Sequence, residues 1–132
     1  MSAVLPDAAK EWFDGANFAT ISTIEPDGRP QASMVWVGRD GDDVLVSTTR
    51  QRRKAANMGR DSRVSLLMAN PEDPYSYIEI RGTASVIPDP TSSLINELSN
   101  KYIGKDYPWD PPDAERVIIR ISADKVVFNA SG

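Results

Sequence analysis

The sequence contains no histidine and no cysteine. Without histidine there is no ordinary general base at neutral pH, no usual zinc ligand, no Ser-His nucleophile pair and no globin-type haem ligand. Without cysteine there is no disulfide framework and no thiol chemistry. No apolar run approaches membrane-spanning length, and Met1 to Lys10 show neither a signal-like apolar core nor a basic preamble. A soluble cytoplasmic protein is expected. Paired carboxylates with a catalytic spacing are also missing. Glu72 and Asp73, Asp89, and Asp110 and Asp113 all fall in Pro-rich turns, where acids are ordinarily solvated. An enzyme built from this chain therefore relies on a bound organic cofactor, with the protein supplying binding and orientation.

What the sequence does have is a concentrated block of cations. The chain is acidic, with net charge −4, yet residues 50–63 hold six of its 15 basic residues and one of its 19 acidic ones. No aromatic residue interleaves with these cations, so they offer no stacking platform for nucleic-acid bases. A local positive patch on an anionic protein attracts a small anion. The block follows the alternating run that ends at Ser47, and a helix is expected to begin around Arg50. Arg50, Arg52, Arg53 and Lys54 would then occupy a helix start. That is the wrong sign for a terminus carrying about half a positive charge and several free N–H groups, where each cation costs about 0.3–1 kcal/mol. One reading places an anion there, held by Thr48, Thr49, backbone N–H groups and guanidinium forks. The other is a solvated basic helix.

At 132 residues the chain is expected to form one domain, 1–132, with a real core. Asp7 to Asn17 reads as a short amphipathic helix with Trp12 and Phe13 inward. Phe18 to Ile24 alternates as a strand, Pro26-Asp27-Gly28 turns, and Gln31 to Gly38 returns. Asp40-Gly41 makes a second hairpin and Asp43 to Ser47 a third strand. The basic helix runs to about Gly59. Arg63 to Ala69 and Tyr75 to Ile87 are strands, the second with a bulge or bend expected at Gly82. Pro90 to Lys101 reads as a helix, and Glu115 to Ser122 and Lys125 to Asn129 as closing strands. Six or seven antiparallel strands without βαβ alternation favour a mainly β, closed barrel. Ile103 to Asp113 is the one long irregular segment. Its Tyr107 and Trp109 either cover a pocket, meet a partner subunit or anchor a surface loop.

Several segments together carry a resemblance. They are Ala-Thr-Ile-Ser-Thr to Asp-Gly-Arg-Pro-Gln (Ala19 to Gln31), Val-Leu-Val-Ser-Thr-Thr to Arg-Arg-Lys-Ala-Ala-Asn (Val44 to Asn57), Arg-Asp-Ser-Arg-Val-Ser-Leu (Arg60 to Leu66) and Ile-Arg-Gly-Thr-Ala (Ile80 to Ala84). In this order they resemble the pyridoxamine 5′-phosphate oxidase-like split β-barrel superfamily. Within it the chain is similar to the flavin/deazaflavin oxidoreductases of the B group, common in actinobacteria. The match spans nearly the whole chain and rests on order and spacing, not on one decisive motif.

The resemblance implies a homodimer with two cofactor sites at the subunit interface, and neither nucleic acid nor membrane as partner. Arg52 and Lys54 take the family's Arg-x-Lys phosphate positions, with Ser47, Thr48 and Thr49 on the approach and Asn57 one turn on. The tricyclic ring lies along Ser33, Met34, Val35 and Trp36; ordinary strand packing explains the same four residues equally well. The cofactor implied is the deazaflavin coenzyme F-420, with FMN as the alternative. Arg50 and Arg53, surplus to one phosphate, would meet the oligoglutamate tail of F-420. The implied activity is hydride transfer from reduced F-420 to an electron-poor double bond of a small organic substrate. Tyr77, Tyr102, Ser33 and solvent are the candidate proton donors, while Glu79 and Arg81 are expected to form a cross-strand ion pair with no catalytic role. An FMN-dependent oxidoreductase and a non-catalytic flavin-binding module are the alternatives. The missing histidine argues against pyridoxamine oxidation and against the haem-binding relatives.

Overall fold

The computed structural model describes residues 3–129. The chain order is α1 (Asp7–Asp14), β1 (Ala19–Ile24), β2 (Pro30–Val35), β3 (Gly38–Asp40), β4 (Asp43–Thr49), α2 (Arg53–Arg60), β5 (Arg63–Asn70), β6 (Asp73–Pro88), α3 (Ser93–Ile103) and β7 (Arg116–Asn129). The strands form one antiparallel seven-stranded sheet in the order β2-β1-β5-β6-β7-β4-β3. Its two edge strands, β2 and β3, are consecutive in the chain and separated only by Trp36 and Val37. The sheet must therefore curl until its edges meet, with no ladder across the join. This is a split β-barrel, as the sequence predicts.

Alternation drives the curl. In β1 and β4 every second residue is buried, and Ile21, Val44 and Val46 are at most 1% exposed. Ile78, Ile80, Ile119 and Ile121 bring the long strands β6 and β7 to the same interior. Phe13 of α1 is fully buried, while Trp12 packs against Phe128 with ring centroids 5.5 Å apart.

Helix α1 ends three residues earlier than expected and α3 begins three later; three further differences each have a physical reason. The strand expected over Gln31 to Gly38 breaks at Trp36-Val37, because there the backbone leaves the ladder and bonds to α3. The Val37 N–H donates to the Tyr102 hydroxyl at 2.9 Å, and its carbonyl accepts from Lys101 Nζ at 2.5 Å. The two expected closing strands are one, β7, bent at a bulge where Arg81 pairs with Lys125 but Gly82 with Ala123. Asp124 is the extra residue. The basic helix begins at Arg53, three residues later than expected, since the Arg52 N–H is turned to the Thr49 carbonyl at 3.1 Å. Among the described residues no helix is long and apolar enough to cross a membrane.

Gly82 marks the bulge for a steric reason. A Cβ there would sit 2.5 Å from the Ser122 carbonyl oxygen and 2.9 Å from Ile121 Cγ2, against backbone that cannot move aside. Gly82→Ala is expected to destabilise the fold by about 1–3 kcal/mol, read as a lower urea midpoint at unchanged slope.

Candidate functional site

A cavity of about 160 Å³ opens at the seam of the barrel. β2 and the corner after it supply Met34, Val35 and Trp36. β4 supplies Ser47, and the start of α2 supplies Arg52 and Lys54. Ile95 and Leu98 of α3 form the base, and Tyr107 and Arg116 close the far side. Alternation along β4 explains Ser47. Val44, Val46 and Thr48 turn into the core, so Ser47 faces the other way.

The electrostatics of the site come from which cations are matched. Of the six in 50–63, Arg50 pairs with Glu115 at 3.5 Å, Arg53 with Glu25 at 2.9 Å and Arg63 with Asp61 at 2.7 Å. Arg60 bonds to the Asn57 side chain and the Ile24 carbonyl. Among the described residues, Arg52 and Lys54 have no ion pair and no side-chain hydrogen bond. These are the two that line the cavity. Arg52 is exposed, at the rim. Lys54 is only 9% exposed, and burial, followed by the like charge of Arg52, pushes its ammonium below the ordinary lysine range. An unpaired buried ammonium is costly, and such groups are ordinarily matched by an anion. Helix α2 adds to the field. Its N-terminus has no side-chain cap and no acid in its first turn.

A third cation at the cavity is already neutralised. Arg116, 6% exposed, makes a two-pronged ion pair with Asp110 at 2.7 and 2.8 Å. Its guanidinium lies 4.8 Å from the Tyr107 ring centroid and 3.4 Å from the Ser47 hydroxyl. Aromatic rings continue from here along the seam. Tyr107 stands edge-on to Trp36 at 6.0 Å, and Trp36 stacks on Tyr102 at 5.1 Å.

Met34, Val35, Trp36, Ser47, Arg52 and Lys54 thus come together as the sequence analysis places them. The other six candidates lie elsewhere. Arg50 and Arg53 are outside the cavity and face Glu115 and Glu25. Asn57 is buried between strand and helix, donating to the Thr23 hydroxyl at 3.0 Å. Thr48 sits in the core, and the hydroxyls of Ser33 and Thr48 are buried without a partner among the described residues. Thr49 is 7% exposed and shapes the turn before α2 through its carbonyl.

Among the candidate proton donors, Tyr102 is committed. Its hydroxyl donates to the Asn17 carbonyl at 2.6 Å, and burial pushes its phenol up. Tyr77 lines a second, adjoining hollow with Phe18, Met34 and Leu67. Glu79 and Arg81 pair at 3.2 Å along one strand, not across strands. Phe18, Ile95, Leu98 and Arg116 line the cavity without having been singled out from sequence. Arg116 left no periodic signal: the alternation of β7 buries Val117, Ile119 and Ile121 and sets Arg116 on the opposite face with Ile118 and Arg120. Among the described residues no group of acids could hold a metal ion.

The unmatched ammonium generates a prediction. Lys54→Met keeps the length of the side chain and removes the buried charge. The ligand-free variant is expected to be more stable than the parent by about 0.5–2 kcal/mol in chemical denaturation. A variant less stable than the parent would mean that Lys54 has an unseen anionic partner in the chain.

Comparison with known proteins adds the following. Residues 5–130 match the family described as pyridoxamine 5′-phosphate oxidase. An F-420 reductase of known structure is similar at 27% identity, with a TM-score of 0.84 over 93% of this chain and 98% of the other. The General Stress Protein 26 from Bacillus anthracis str. Sterne is 25% identical, with a TM-score of 0.70 over 92% of this chain and 91% of the other. A pyridoxamine 5′-phosphate oxidase-related, FMN binding protein from Nostoc punctiforme shares the fold at 16% identity. Its TM-score is 0.70 over 96% of this chain and 84% of the other.

Proposed function

Since the chain belongs to the pyridoxamine 5′-phosphate oxidase family, an oxidoreductase-type, flavin-binding family, we propose that it is a coenzyme F-420-dependent reductase. The observation that carries this reading is Lys54: a buried ammonium with no anion of its own, beside Arg52, on an apolar aromatic wall. The likeness to an F-420 reductase at 27% identity supports the deazaflavin over FMN.

The donor set fits a phosphorylated tricyclic cofactor. Lys54 would hold the phosphate from within and Arg52 from the rim, with Ser47 beside them. The apolar flank of Met34, Val35 and Trp36 suits a flat ring. The small cavity suits the phosphate and the near edge of the ring, beside Trp36 and Tyr107. The rest of the ring would extend onto the outer sheet face, where Phe18 and Met34 are shared with an adjoining hollow of about 570 Å³. When bound, the deazaflavin supplies a hydride to an electron-poor carbon of an enone-like substrate. The chain's residues fix the phosphate, orient the ring and keep water from one face of it. Tyr77 opens onto the same hollow and is the side-chain proton donor with access; solvent is the other source.

A homodimer belongs to the same proposal. Phe18, Met34 and Leu67 are 56%, 61% and 47% exposed and line one hollow that shares Phe18 and Met34 with the cavity. A second copy seated there would cover the ring site, and the mass in solution would be twice the 14.5 kDa of the chain.

Equilibrium titration with F-420 and with FMN under identical conditions tests the proposal. F-420 is expected to bind more tightly. Arg52→Ala and Lys54→Ala are each expected to weaken it by about 1.5–3 kcal/mol, roughly 10- to 150-fold. Arg50→Ala/Arg53→Ala, which removes only exposed pairs, is expected to cost less than about 1 kcal/mol. Preference for FMN in the parent would make the chain an FMN-dependent oxidoreductase. Tight F-420 binding without reduction of any electron-poor alkene would make it a binding module.

A further inference from the structure

The segment between α3 and β7, residues 104–115, runs over the far side of the cavity without helix or strand. Two of its side chains point at one buried residue. Asp110 takes both prongs of the Arg116 guanidinium at 2.7 and 2.8 Å, and the Tyr107 ring lies against that guanidinium at 4.8 Å. Tyr107 is at the same time a wall of the cavity, edge-on to Trp36. Arg116 itself lines the cavity but spends its charge on Asp110, unlike Arg52 and Lys54. A two-pronged guanidinium–carboxylate pair fixes direction as well as distance, and a buried one is strong in geometry even where its net stabilisation is small.

We propose that Arg116 is a positioning residue: through Asp110 and Tyr107 it holds residues 104–115 as the fixed wall of the cavity against which the ring of the cofactor packs. It does not serve as an anion ligand. Arg52 and Lys54 act on the phosphate; Arg116, which also reaches the Ser47 hydroxyl at 3.4 Å, acts on the ring through Tyr107. With the wall in place beforehand, binding need not order it. Loss of that preorganisation costs the entropy of immobilising the side chains concerned, a factor of about three to ten in affinity.

The test uses the full chain and the double variant Asp110→Asn/Arg116→Gln, which breaks the ion pair without stranding a buried charge. Hydrogen exchange of the ligand-free protein is the first readout. Amides within residues 104–115 are expected to exchange about tenfold faster than in the parent, with the strands unchanged. Unchanged exchange in that segment overturns the proposal. The second readout, which rests on the proposed F-420 function, compares F-420 with its dephosphorylated chromophore. Both are expected to lose the same factor of about three to ten, so that their ratio stays fixed, whereas Arg52→Ala changes the ratio. A loss confined to the phosphorylated compound overturns the proposal and makes Arg116 a phosphate ligand. Should the double variant fail to fold, Tyr107→Leu leaves the ion pair intact and removes the wall ring; equal losses for both compounds support the proposal and unchanged affinity overturns it. A parent that binds neither compound refutes the cofactor assignment alone, and the exchange readout still decides the role of Arg116.

Discussion

Where the barrel fails to close, the backbone at Val37 must find partners outside the sheet. An unpaired buried N–H or carbonyl costs about 1–3 kcal/mol, so the break between β2 and β3 is tolerable only with substitutes. Helix α3 provides both. Tyr102 accepts from the Val37 N–H, and Lys101 donates to its carbonyl and to that of Phe13. This arrangement sets the rest. It brings Leu94 and Leu98 under Gly38, where a Cβ would meet Leu98 at 3.3 Å. It stacks Trp36 on Tyr102 and so turns Trp36 along the seam. The cavity is the space that this detour leaves between the corner, the end of β4 and the start of α2.

Stability and function pull in opposite directions at that cavity. A sequence selected for stability alone would not begin a helix with cations, nor bury a lysine without a partner. The neighbouring cations show how readily such charges are matched elsewhere. Arg50, Arg53 and Arg63 each have a carboxylate within reach. Leaving Arg52 and Lys54 unmatched keeps a cationic end ready for an anion supplied from outside. The tie between Asp110 and Arg116 limits that end to two available cations and gives the third a mechanical task.

Much of this was legible in the sequence, for identifiable reasons. Period-2 alternation placed β1, β4, β5 and β6 to within a residue or two, and the glycine in Ile80-Arg81-Gly82 marked the bulge. The sign of charge at the helix start pointed to Arg50, Arg52, Arg53 and Lys54 together, and the family resemblance separated Arg52 and Lys54 from the other two. Arg50 and Arg53 lie outside the cavity, paired with Glu115 and Glu25. Their partners are distant in sequence, Glu25 lying 28 residues before Arg53, and counting charges within a window cannot see them. Asn57, which the resemblance placed near the phosphate, is buried and bonds to Thr23. The break at Trp36-Val37 was hidden because its compensating bonds come from α3, some 65 residues on. Arg116 was missed because an ion pair to a Pro-rich loop has no periodic signature.

Lys54, buried and without an ion pair among the described residues, is the cation on which the proposed anion site depends. Its ionisation can be followed directly, from the Cε chemical shift of Lys54 across a pH series, with and without F-420. In the ligand-free protein the ammonium is expected to lose its proton below the ordinary lysine value of about 10.4. A lysine whose folded pKa is lowered opposes folding while it is charged, and this penalty fades as pH rises through that pKa towards the unfolded value. Bound anion should move the titration back upward, since an opposite charge favours the protonated form. A lysine that titrates at its ordinary value in both states, unmoved by the cofactor, would contradict the account.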